Sequence, residues 1–128
     1  MSYQFSEEDL SGITRSVMAL LHDWGIAPVD QIRLLGLPEH TKPRALSRYR
    51  NGAPLPHEDD VLRRAHHLLS IANSLEIAFP HNAALANYWV TTECDLFGGR
   101  TPLAIMLEEG ADGIERMARY LNAGFEAW

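Results

Sequence analysis

The spacing of the apolar residues constrains this chain most: they recur three and four positions apart between glycine and proline breaks, and nowhere alternate with the period of a strand. Ser6 before Glu7, Glu8 and Asp9 puts a capping side chain and carboxylates at a positive helix end, and Leu10, Ile13, Val17, Leu20, Leu21 and Trp24 follow at helical spacing until Gly25. Pro28 suits the first turn of a second, short helix that Gly36 and Pro38 stop. A third helix is predicted from Thr41 to Asn51-Gly52, a pair that favours a left-handed exit. The longest stripe, Val61, Ala65, Leu68, Ala72, Leu75 and Phe79, predicts a helix over 58–79 that can pack on the first three helices, on the C-terminal part, or on a second copy of itself. After Pro80, the segment NAALANYWVTT predicts a fifth helix presenting Leu85, Tyr88 and Trp89. Thr101-Pro102 then opens a sixth, and a last one from about Asp112 buries Ile114, Met117 and Leu121. The fold class is all-α: an N-terminal helix-turn-helix bundle over 1–79, joined by its long helix to a small helical module over 80–128.

At 128 residues and 46% hydrophobic content, the chain can bury one proper core shared by two small modules. Its single cysteine, Cys94, allows neither an internal disulfide nor a thiolate zinc site. The opening residues lack the basic end and apolar run of a secretory signal, and no apolar stretch nears the ~18 residues of a membrane span. A soluble, cytoplasmic protein is expected.

A formal net charge of -6 hides a local asymmetry. Between His40 and His57 the charged side chains are Lys42, Arg44, Arg48 and Arg50, with no acid among them. This island falls on the predicted third helix, where a helix-turn-helix carries its reader. Arg44, Ser47, Arg48 and Arg50 are placed to reach phosphates or guanine edges, with Lys42 adding a backbone contact, while Ala45, Leu46 and Tyr49 supply the packing face. Four cations bind DNA weakly alone, so a homodimer displaying two such helices is expected if operator DNA is the partner. A solvated basic face on an ordinary bundle is the plainer alternative.

The stretch NYWVTTECDLFGGRTPLAIMLEEGADGIERMARYLNAG carries a specific order: Trp89, Phe97-Gly98-Gly99, Thr101-Pro102-Leu103, the apolar run Ile105 to Leu107, Gly110, and a closing helix from Ile114 to Leu121. It resembles the toxin-binding domain of the Xre/MbcA/ParS antitoxins, and the upstream RLLGL and DDVLRRAHHLL segments resemble that family's Xre-like helix-turn-helix half. The resemblance implies a cognate partner, usually a RES-domain toxin that depletes NAD, held inactive in a toxin-antitoxin complex while the antitoxin represses its own operon. Read from the residues alone, Trp89 belongs to a core more readily than to a contact. Arg100 sits on a loop from which it can pair with a partner's carboxylate. Phe125, Glu126 and Trp128 place aromatic anchors beside a lone carboxylate at the end of the chain, a pattern suited to an interface and equally to folding back on the last helix. The toxin-binding residues expected are Trp89, Arg100, Phe125, Glu126 and Trp128.

No catalytic residue, metal site or cofactor is expected. His22-Asp23 is a dipeptide of metal-dependent phosphohydrolases, but His66-His67 offers no partners at i, i+4 spacing. Glu93 and Asp95 flank Cys94 with charges that disfavour a thiolate, and FGGRTP lacks the lysine of a phosphate-binding loop. The leading function is a non-enzymatic antitoxin. A stand-alone DNA-binding regulator whose C-terminal module dimerises is the second reading, and a small metal-dependent hydrolase is a distant third.

Overall fold

The computed structural model describes the backbone of residues 6–126 and the side chains of residues 6–122. Within them the regular elements are all helical: α1 (Glu7–Asp23), α2 (Pro28–Leu35), α3 (Leu46–Arg50), α4 (Asp59–Ala78), α5 (Ala83–Trp89), α6 (Pro102–Glu109) and α7 (Ala111–Glu126), with short 3-10 turns at Pro43–Ala45 and Asp95–Phe97. The sequence signals for helix starts operate as expected at α1 and α6. Ser6 Oγ accepts from the Asp9 N–H at 3.1 Å, and Thr101 Oγ1 accepts from the Ala104 N–H at 3.0 Å. Asn82 caps α5 in the same way through the Leu85 N–H.

The third helix departs from its predicted bounds. Pro43 holds the residue before it extended, with Lys42 at ψ 143°, so no helix can run through from Thr41; a 3-10 turn intervenes and α3 proper begins at Leu46. The fifth helix also stops early, at Trp89. There the hydroxyls of Thr91 and Thr92 both donate to the Tyr88 carbonyl and occupy an acceptor at the helix end.

One continuous core runs through the chain, from Val17, Met18 and Leu21 on α1, through Leu34, Leu35 and Leu46, to Ile105, Met106, Ile114 and Met117 in the C-terminal part. Its common wall is α4, whose Val61, Ala65, Leu68, Ile71 and Leu75 are buried. Of the partners its stripe left open, α4 packs against α1 and α2 as well as α5 and α7. A buried threonine ties in the connector that follows α3: Thr14 Oγ1 donates to the Leu10 carbonyl at 2.7 Å and accepts from the Leu55 N–H at 3.0 Å. Leu55 is thereby anchored in the core under α1.

Gly36 ends α2 in the left-handed region at φ 72°. A Cβ there would stand 2.8 Å from Arg64 Nε and 2.9 Å from Asp60 Oδ2, so the ends of those two side chains would have to shift to admit it, whereas the positive φ is what calls for glycine. That close approach brings the start of α4 against the end of α2.

Candidate partner-binding surfaces

Two surfaces carry the chemistry. The first is the basic one. Lys42, Arg44, Arg48 and Arg50 are all exposed, and no described carboxylate lies within ion-pairing distance of any of them. Lys42, Arg44 and Arg48 line one open groove with His40, Ser47 and Tyr49. Ser47 is half-buried and its hydroxyl donates to the Arg44 carbonyl at 2.8 Å, so it is partly committed to shaping the turn. Leu46 is fully buried and holds α3 against α1. The connection between α2 and the Pro43 turn spans Gly36 to Lys42, longer than the three or four residues of a tight helix-turn-helix.

A fifth cation, Arg15, reaches this region from α1. Its Nη1 stands 3.2 Å from the point a Cβ on Gly52 would occupy, just past the end of α3. Nothing in the sequence places Arg15 there, because the α1–α3 packing that does so joins it to a segment more than twenty residues beyond the end of its own helix.

The second surface belongs to residues 79–122. Phe97 is buried and its ring meets Tyr120 of α7 edge-on, with centroids 5.1 Å apart. The loop is stitched further by Gly99 N–H to the Cys94 carbonyl at 3.0 Å, Cys94 N–H to the Arg100 carbonyl at 3.2 Å, and Leu103 N–H to the Val90 carbonyl at 3.0 Å. The aromatic-glycine-glycine element is therefore a plug that seats the loop on α7. Gly113 lets α6 and α7 meet: a Cβ there would stand 2.7 Å from the Ile105 carbonyl oxygen.

Trp89 is half-buried and packed against the core, between the buried Ala86 and Val90. Arg100 has partners in its own chain: Nη1 to Glu108 Oε2 at 2.7 Å, Nη2 to Glu109 Oε2 at 3.8 Å, and Nε donating to the Phe97 carbonyl at 3.3 Å. A carboxylate from another protein has to compete with Glu108 for it. Phe125, Glu126 and Trp128 lie outside the residues whose side chains are described. Leu85 and Tyr88, by contrast, are exposed on α5 as the sequence predicts.

A polar seam joins α2 and α4 to α6 and α7. Arg64 Nε bonds Asp60 Oδ2 at 3.0 Å while its Nη1 donates to the Arg33 carbonyl at 3.1 Å, at the end of α2. Arg33 Nη2 in turn donates to the Leu107 carbonyl at 3.2 Å, near the end of α6. Each guanidinium thus serves the negative end of a helix. Along α4 and α7, Arg63 pairs with Glu115 and with Asp112. The hydrogen bond from Arg63 holds the Glu115 carboxyl below the usual carboxylate range, and the same bond raises Arg63. Burial first, and then the neighbouring His66, pushes His67 below the ordinary histidine range. Further along, Ser74 Oγ donates to Asn122 Oδ1 at 3.0 Å.

Among the described residues, no three His, Cys, Asp or Glu side chains converge as metal ligands, and no helix is long and apolar enough to cross a membrane. No curated protein matches the chain. Residues 74–124, from the Ser74–Asn122 bond at one end through the whole loop-and-helix unit seated on α7, match the family model of the antitoxin Xre/MbcA/ParS C-terminal toxin-binding domain.

Proposed function

We propose that this protein is a cytoplasmic, non-enzymatic antitoxin that binds and blocks a toxin through its C-terminal module, 80–128, and represses its own operon through the basic surface of the N-terminal part, 1–79. The observation that carries the reading is the match over 74–124 to a toxin-binding domain. The toxin class is the one the resemblance implies, a RES-domain enzyme that depletes NAD. A tagged pull-down of the full chain from its native host, with mass spectrometry of what co-purifies, tests this. A RES-domain toxin in stable proportion supports it, and recovery of the chain alone with operator DNA moves the assignment to a stand-alone regulator. The terminal Phe125–Trp128 segment is assigned to blocking the toxin, so a chain lacking it still binds the toxin but no longer inhibits it. Undiminished inhibition by the truncated chain removes that role from the tail.

DNA binding is favoured by a specific observation, the exposure of Lys42, Arg44, Arg48 and Arg50 without described carboxylate partners in a chain of net charge -6. Unneutralised cations on one surface are what phosphate binding needs. A homodimer, and a higher toxin-antitoxin assembly built on it, supplies two such surfaces at operator spacing. Replacing Arg48 and Arg50 by alanine weakens operator binding and flattens its salt dependence, with a slope lower by about 0.9 for each phosphate that is no longer neutralised. Unchanged affinity and slope by fluorescence anisotropy remove these residues from the DNA interface.

A further inference from the structure

Single exposed apolar side chains are ordinary on protein surfaces, and only their concentration carries meaning. Five large hydrophobic side chains are exposed among the described residues; Ile77, Leu85, Tyr88 and Leu96 fall inside the segment matched to the toxin-binding domain, and Val29 alone falls outside it. Leu85 and Tyr88 stand three positions apart on the outer face of α5, 45% and 63% exposed, while Ala86 and Val90 on the inner side are buried. Tyr88 is presented on a fixed support, since its own carbonyl is held by the Thr91 and Thr92 hydroxyls. Leu96, 74% exposed, is equally well mounted, next to the Phe97 ring that seats its turn on Tyr120. Apolar groups displayed on rigid supports lose little conformational entropy when a partner covers them.

The charges nearby are one-sided. Between Phe79 and Gly99 the only charged side chains are the carboxylates of Glu93 and Asp95, both exposed and without ion-pair partners among the described residues. In the rest of the matched segment Arg100 faces Glu108, Arg116 faces Glu109, Glu115 is taken by Arg63, and Arg119 on α7 is exposed with Glu115 and His67 as charged neighbours. A second copy of this chain is a poor occupant for this face, because a self-complementary contact brings two acidic segments together with no lysine or arginine between Phe79 and Gly99 to meet them.

We propose that the outer face of α5, together with the turn carrying Leu96, is the surface on which the toxin docks, through an apolar cleft on the toxin edged by lysine or arginine. The proposal rests on the antitoxin reading and adds to it where the toxin sits and what holds it, separately from the tail that blocks activity. Leu85 and Tyr88 fill the cleft; Glu93 and Asp95 meet its cationic edge and steer the approach.

The test uses the full chain and the toxin recovered with it in the pull-down. The double variant Leu85→Ser, Tyr88→Ser weakens toxin binding by about thirtyfold or more and abolishes protection in co-expression, with thermal midpoint and operator binding unchanged. The double variant Glu93→Lys, Asp95→Lys slows association and removes its dependence on salt, leaving dissociation less affected. Toxin binding by the first variant as tight as wild type overturns the proposal while the antitoxin reading stands. So does a shift of that variant from dimer to monomer with toxin affinity per chain unaltered, which assigns the face to a second copy. Failure of the wild-type chain itself to bind a toxin overturns both.

Discussion

Two glycines show how the same change takes opposite signs in different surroundings. Gly12 lies in α1 with nothing within 4 Å of the point a Cβ would occupy, so Gly12→Ala gains helix propensity and stabilises by about 0.5–1 kcal/mol. Gly113 lies in α7, where the same methyl meets the Ile105 carbonyl oxygen at 2.7 Å and Glu109 Cβ at 2.8 Å. Overpacking costs about 1–3 kcal/mol, more than the propensity gain, so Gly113→Ala lowers the denaturation midpoint. Urea titration of the two variants checks both signs. Thr14 supplies a third case: Thr14→Val leaves the buried Leu55 N–H without an acceptor and costs about 1–3 kcal/mol, while Thr14→Ser keeps the bond and most of the stability. None of these roles shows in the sequence. The glycine in ADGIERM and the threonine in GITRS look like ordinary helix residues until α6 and the Leu55 connector are laid against them.

At the scale of elements, α4 and α7 are held by side chains that titrate, and their pairing weakens on acidification. His67 faces Glu115 and Arg119 on α7 and Arg63 and His66 on its own helix, and burial keeps its folded pKa below the unfolded one. The unfolded chain therefore takes up this proton at higher pH than the folded chain. Stability is complete above the ordinary histidine range and falls as pH drops through it. Glu115, held low by Arg63, adds a second loss at more acidic pH, as the pH falls through its folded pKa. Denaturant midpoints measured across the histidine range decline for the wild-type chain, and the His67→Asn variant loses that decline while keeping the more acidic one. The helices themselves are legible in the sequence because caps and prolines act locally: Ser6, Pro28 and Thr101 mark starts that hold. Their lengths are less so. The residue pattern carries the third helix back to Thr41 and the fifth on past Trp89, where Pro43 and two threonine hydroxyls set the actual ends.

For the whole molecule, an acidic chain gathers Lys42, Arg44, Arg48 and Arg50, exposed and without ion pairs among the described residues, in one stretch, and of the large apolar side chains exposed among those residues all but Val29 fall in the last half. The basic surface is readable as a run between His40 and His57, but Arg15 is not, since only the packing of α1 on α3 brings it alongside. Likewise, Arg100 reads as free for a partner because Glu108 and Glu109, eight and nine positions on, return to it only once α6 has formed. The seam of Arg33 and Arg64 bears on inheritance. Both arginines reach across to main-chain oxygens, of Leu107 and Arg33, which every residue type provides. The α2, α4 and α6 ends can thus drift in sequence without losing their join. Arg63 with Asp112 and Glu115, and Ser74 with Asn122, depend on side-chain identity and have to be passed on in pairs. A recombinant chain that takes the part after residue 80 from a divergent relative keeps the first join and forfeits the second, unless α4 travels with it.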